Sequence, residues 1–265
     1  MYRFTALLFT IPLATIPLTA QTSSGKWSFG LYGCTPDFGM YFHQSGDSSM
    51  DFDTKTDLDL KNNKMGQGVR LDYSGRRFGF SLDCGLHDFA GQNRINREIE
   101  MDGEMFPAGG DVTSSIKNTT VDLTGTVKIL SFDHFWFGVD FGLQAWIMNL
   151  NAEVKGVSSG GEYLDDIDPV SKRLPPIPIP QLGLSLGVKA LNNRLELRGK
   201  AHLLAYSGAK YTLFSADARC YVLSWLGVRA FMENQRFDVP YGSIDDDMEA
   251  RIDNNRVGFG VALRW

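Results

Sequence analysis

Apolar residues fall on every second position over long stretches of this chain, the period of a β-strand with one apolar and one polar or small face. The last nine residues are the clearest case. Val257, Phe259, Val261, Leu263 and Trp265 alternate with Gly258, Gly260, Ala262 and Arg264. Read backward from there, the alternation predicts ten strands, near 27–43, 65–74, 77–90, 115–130, 135–153, 178–190, 194–206, 209–223, 226–238 and 255–265. One face of these segments is apolar, as in Val69, Leu71, Phe80, Leu82, Val121, Leu123, Phe137, Phe141, Leu182, Leu184, Val228 and Met232. The other face carries most of the strands' ionised groups.

The links between strands predict a topology. Gly75-Arg76, Ser131–His134, Leu191–Asn193 and Ser224-Trp225 are tight turns, whereas 44–64, 91–114, 154–177 and 239–254 are long and polar. Alternating short and long links with an even strand count describe an all-β, up-and-down antiparallel transmembrane β-barrel. Trp27, Tyr73, Phe78, Phe132, Phe135, Trp136, Tyr221, Trp225 and Trp265 cluster beside the tight turns or a chain end. That is where a lipid–water interface gathers aromatic rings, while a β-sandwich would place them in mid-strand. Eight or twelve strands also fit, because Pro36 breaks the first segment and residues 50–60 alternate too. Asp51, Asp53, Lys55, Asp57, Asp59 and Lys61 lie along one side of that stretch, which reads as a charged hairpin arm above the membrane.

The closing strand, ending on an aromatic, resembles the assembly signal of Gram-negative outer-membrane barrel proteins, carried here by Val257, Phe259, Val261, Leu263 and Trp265. From about residue 168 onward, a Pro-rich entry, Leu-Gly-Leu-Ser-Leu-Gly, two hairpins and a Gly-rich last strand look like many small exported barrels. The resemblance covers roughly the C-terminal hundred residues and is architectural, so it carries no site residues. It implies the cell outer membrane, a monomer, and contacts with lipid, lipopolysaccharide and the barrel-assembly machinery. The other end agrees. Residues 1–20 hold Arg3, an apolar run and a small-residue end at Ala20, the pattern of a secretory signal peptide, leaving 21–265 as the barrel. A buried helix or anchor fits that run poorly, since two prolines interrupt it.

Composition narrows the choice further. A net charge of -5 with mixed signs leaves no nucleic-acid footprint. Cys34, Cys84 and Cys220 have no paired spacing, so neither a disulfide framework nor a zinc motif is expected, and no cofactor. The inward face carries eight cations (Arg70, Lys128, Lys189, Arg198, Lys200, Arg219, Arg229, Arg264) and seven carboxylates (Asp72, Asp83, Asp122, Asp140, Glu196, Asp217, Glu233). Eight-stranded barrels are barely wide enough for their own side chains, and aqueous channels need about 16 strands. Near-balanced charges in so narrow a lumen should pair, because a lone buried charge is costly.

Catalytic chemistry has few candidates among four histidines. His87 and Asp88 face opposite sides of one strand, so His87 is a weak candidate unless a neighbouring strand supplies an acid. No stretch matches the ten-stranded outer-membrane proteases, and no histidine stands two residues before a serine in an outward-facing pattern as in lipid A deacylases. Acidic loops (Asp47 to Asp59, Glu162 to Asp168, Asp245 to Asp253) could attract divalent cations, though none has EF-hand spacing. Leu174–Pro180 resembles a short polyproline stretch. The expectation is a structural or surface-interaction barrel with a narrow, charge-paired lumen. A narrow channel for small or hydrophobic solutes and an omptin- or lipid A hydrolase-like enzyme are the alternatives.

Overall fold

Alternation of side chains across ten long strands closes the chain on itself. The computed structural model describes residues 25–44, 50–60, 65–94, 99–101, 104–106, 111–155, 170–173, 176–206, 208–240 and 248–265. The predicted signal peptide and most of the acidic loop residues lie outside them. The strands are β1 (Lys26–Gln44), β2 (Gly66–Ser74), β3 (Phe78–Arg94), β4 (Asp111–Ser131), β5 (Phe135–Lys155), β6 (Ile177–Ala190), β7 (Leu195–Tyr206), β8 (Ala209–Tyr221), β9 (Leu226–Val239) and β10 (Met248–Arg264). Each pairs antiparallel with the next, and β10 returns to β1 from Ser28↔Arg264 to Gln44↔Met248. Ring closure gives each of the ten strands a partner on both sides over the turn-end part of the barrel. Met50–Asp53 and Val170–Arg173 are short strands added to β1 and β5.

The tight turns, β1's first residue and β10's last lie at one rim, the turn end; the opposite rim is the loop end. In the Leu191–Arg194 turn, Leu191, Asn192 and Asn193 all have positive φ, and the two asparagines tolerate this better than most residues. Several strands are long: β4 and β5 have 21 residues each. About 9–11 residues cross a bilayer, so these strands continue well past one.

Along several strands the apolar face changes side at a similar height. In β10, Val257, Phe259 and Val261 are exposed on odd positions, whereas Ala250 and Ile252 are buried on even ones. β4 switches from outward Val127 and Leu123 to buried Ile116 and Val112, and β5 from outward Phe141 and Leu143 to buried Trp146, Met148 and Leu150. β3 follows, from outward Phe80 and Leu86 to buried Phe89. Beyond the switch the outward positions are polar, among them Asp88, Gln92, Lys117, Thr113, Glu153 and Arg251. The turn-end half is greasy outside, and the loop-end half is greasy inside.

One expectation changes here. Residues 50–60 are not a free charged arm but fold into the barrel's loop-end half. Phe52, Leu58 and Leu60 pack inward with Phe38, Met40, Phe89, Val112 and Ile116. The Leu58 carbonyl passes so close to Gly91 that a Cβ there would lie 2.2 Å from it, an approach only glycine permits. Of the four prolines in the Leu174–Pro180 stretch, Pro178 and Pro180 belong to β6. There β6 pairs with β5 alone, so a residue without an N–H interrupts at most one ladder.

Candidate functional site

Inward positions of β2, β3 and β7–β10 bring their charges together near the turn end. Asp72 is the hub: Arg70 Nε lies 3.1 Å from its carboxylate, Arg198 Nη1 3.2 Å and Arg219 Nη2 2.7 Å. Arg219 continues to Asp217 at 2.8 Å, and Asp217 to Arg229 at 2.5 Å. Arg70 reaches Asp83 at 3.6 Å, and Tyr32 donates its hydroxyl proton to Asp83 at 2.6 Å. Arg256 links Asp83 at 3.7 Å to Glu233 at 2.6 Å. On the other flank Arg198 reaches Glu196 at 3.6 Å, and Glu196 accepts from Arg264 at 3.0 Å. The Asp72–Arg198 pair crosses the lumen from β2 to β7. Arginine suits this work because its planar fork serves two carboxylates at once.

Ten of the predicted lumen residues therefore join one network: Arg70, Asp72, Asp83, Glu196, Arg198, Asp217, Arg219, Arg229, Glu233 and Arg264. Four of the other five take different partners. Asp122 accepts from Thr124 at 2.7 Å and Gln181 at 2.8 Å. Asp140 accepts from Thr126 at 2.6 Å and Ser185 at 2.7 Å, with His202 Nε2 3.0 Å from its second oxygen. Lys128 donates to Ser74 Oγ and the Gly75 carbonyl, and Lys200 contacts Ser81 Oγ at 3.4 Å. Among the described residues Lys128, Lys189 and Lys200 form no ion pair. His87 is buried beside Cys34, with Nδ1 3.8 Å from Sγ and no hydrogen-bond partner at Nε2. Among the described residues no acid hydrogen-bonds it, so none of them makes an Asp–His dyad with it.

Sequence parity places Gln144 inward but misses Arg256, Tyr32 and the rest of the amide layer above the charges. Arg256 had a usable signal, since it continues the inward parity of Arg264, Ala262, Gly260 and Gly258. The amides had a weaker one. Gln144, Gln181, Gln235 and Asn254 are linked to one another, Gln144 Nε2 to Gln235 Oε1 at 3.3 Å and Asn254 Nδ2 to the same oxygen at 3.2 Å. Tyr211 donates into this layer, to Gln144 Oε1, at 2.8 Å. Beyond it lies hydrocarbon: Trp146, Met148, Leu150, Ile179, Leu213 and Ile252, joined by the ring face of Tyr211. Inside polarity thus falls along the axis from ions through amides to an apolar core.

The aromatic girdle also needs amending. Phe78, Phe132, Trp225 and Trp265 are exposed, whereas Trp136 and Tyr221 are buried. Their strand parity points them at the lumen. Lys128 Nζ lies 5.1 Å from the Trp136 ring centroid, and the Arg264 guanidinium 3.8 Å from that of Tyr221, both within cation–π range. The cysteines are free: Cys34 is buried and Cys220 exposed. Among the described residues no group of three or more His, Cys, Asp or Glu side chains is placed to hold a metal ion.

A closed ten-stranded antiparallel barrel with an apolar outer band and a charged lumen defines the class: the chain has the fold of Gram-negative outer-membrane β-barrels. The outer membrane protease OmpT from Escherichia coli superposes with a TM-score of 0.61 at 12% identity, over 92% of this chain and 98% of that one. The translocator domain of the autotransporter NalP from Neisseria meningitidis gives 0.35 at 11%, over 93% and 90%. OprG from Pseudomonas aeruginosa gives 0.36 at 9%, over 92% and 97%. The likeness to OmpT is one of fold. No protein-family model matches the sequence. No curated protein matches it either.

Proposed function

We propose that this chain, after loss of residues 1–20, is a monomeric outer-membrane barrel of structural or surface-interaction type whose lumen is closed to solutes. The supporting observation is a double seal across one lumen. Arg219, Arg229 and Asp72 are buried in the ionic layer, and Trp146, Met148 and Ile179 fill the apolar layer above them. A hydrophilic solute would have to pass hydrocarbon, and a hydrophobic one would have to pass ions, so neither narrow-channel reading is favoured. Short turns on the periplasmic side would send the long acidic loops outward. There they would meet lipopolysaccharide, divalent cations or a surface partner.

The protease named among the similar structures suggests a hydrolase as the competing role. Among the described residues, the inner wall toward the loop end offers hydrocarbon where such chemistry needs acids and a histidine. The Asp140–His202 pair is shut inside the barrel, with side chains 0% and 1% exposed. The barrel reconstituted in planar bilayers is expected to give no conductance steps above background. Steady single-channel openings would overturn the closed reading. Peptide cleavage abolished by His202→Ala or His87→Ala, with folding intact, would favour the hydrolase.

A further inference from the structure

At the turn end, where the lumen meets solvent, Lys26, Lys189, Arg198, Arg264, Glu196 and Tyr221 surround a cavity of about 40 Å³. A single water needs roughly 10–15 Å³ measured this way, so the space admits a few waters or one tetrahedral oxyanion. Four cations face one carboxylate there. Glu196 is already engaged by Arg198 and Arg264, and Arg198 also serves Asp72. Lys26 and Lys189 have no carboxylate partner among the described residues. The Tyr221 hydroxyl, on a residue 1% exposed, has no hydrogen-bond partner. Buried hydroxyls are rarely left so, and each such case needs a cause. The adjoining cavity, about 30 Å³, adds Lys128 and Lys200, again cations without a carboxylate partner.

We propose that this mouth binds a small oxyanion of the phosphate type. Ammonium groups from β1 and β6 and a phenol from β8 converge from three sides, and a tetrahedral anion offers an acceptor to each. Arg264 supplies fixed positive charge. It is held by the Tyr221 ring, by the carbonyls of Asn193 at 2.9 Å and Ser224 at 3.2 Å, and by Glu196. The chain as a whole is acidic, so cations gathered at this rim focus an attractive field on a spot a soluble anion can reach.

The test is a calorimetric titration of inorganic phosphate into the barrel refolded in lipid-free zwitterionic detergent. Saturable binding is expected. Lys189→Gln should weaken it by roughly tenfold or more and Tyr221→Phe by several-fold, the loss of charge-assisted hydrogen bonds. Lys210→Gln, an exposed position toward the loop end, should leave it unchanged. Lys26→Gln changes an exposed side chain and keeps the test decisive if Lys189→Gln fails to fold. Phosphatidylglycerol binding that Lys189→Gln abolishes, without a response to inorganic phosphate, would assign the same chemistry to a lipid headgroup. No saturable binding of either, or equal affinity in the lysine variants, would overturn the site.

Discussion

Cut across at the level of Gln144 and Asn254, the barrel consists of two halves built on the same strands with opposite polarity. Below the cut, Val257, Phe259 and Val261 face out while Arg219, Arg229 and Asp72 face in. Above it, Lys117, Glu153 and Arg251 face out while Ile116, Trp146 and Met148 face in. The lower half is arranged for lipid outside and the upper half for water outside. A strand's period of two says only that it has two faces. Which face is apolar depends on the medium at that height, and here the medium changes along the strand. The halves should therefore respond differently to the same kinds of substitution.

The largest effect is expected in the ionic layer. Among the described residues, Asp217→Ala removes the only carboxylate within ion-pair distance of Arg229 and strips Arg219 of one of two. Breaking a buried pair leaves a charge without compensation and costs about 3–5 kcal/mol. Urea unfolding of the refolded barrel, followed by tryptophan fluorescence, would measure it. A loss below about 1 kcal/mol would mean that water reaches the lower lumen and the ionic seal is open.

Next comes the apolar layer. Ile116→Ala should cost about 2–5 kcal/mol, the usual penalty for a core cavity. The loss should be similar in detergent and in bilayers, because Ile116 faces the lumen. A third pair of substitutions locates the boundary itself. Val261→Lys places a charge on the outward face of the lower half and should cost about 2–4 kcal/mol in a bilayer near mid-depth. Thr113→Lys, outward on the upper half, should change stability by no more than about 0.5 kcal/mol. Equal costs at the two positions would erase the distinction between the halves.

How much of this the sequence disclosed follows from the same inversion. In the lower half a single parity rule places Arg70, Asp72, Asp83, Arg198, Asp217, Arg219 and Arg229 inside, and there they meet. The rule places Lys189 and Lys128 inside too, but parity cannot tell which inward charges find partners, because pairing depends on strands distant in sequence, as in Asp72 and Arg198. In the upper half the parity reading assigns no apolar residue to the lumen. Phe52, Leu58 and Leu60 were overlooked because the charges alternating with them suggested an exposed arm. Yet the inversion is written in the chain as a change of phase. β4 passes from Val121, Leu123 and Val127 to Val112 and Ile116 across Thr119-Thr120, and β5 from Leu143 to Trp146 across Gln144-Ala145. Such a slip, repeated in several strands at matching register, is a signal for where a barrel leaves the bilayer.

The smallest effect should come from a motif present in both halves. Arg219–Asp217–Arg229 has its counterpart in Arg236–Asp238–Arg251, an aspartate between two arginines on neighbouring strands. The distances are comparable, 2.8 and 2.5 Å in the first against 3.2 and 2.7 Å in the second. Exposure separates them: 2%, 9% and 3% for the lower triad's side chains against 43%, 37% and 48% for the upper. Removing Asp238 returns both arginines to water, where hydration replaces what the pair supplied, so Asp238→Ala should cost about 0–1 kcal/mol. That small term should shrink as salt rises from about 0.1 M to 1 M, since the screening length falls from about 10 to about 3 Å. The Asp217→Ala loss should barely move over the same range, its partners lying beyond the reach of mobile ions. Were the two losses to fall together with salt, the lower triad would be as wet as the upper one, and the lumen would hold water in place of an ionic seal.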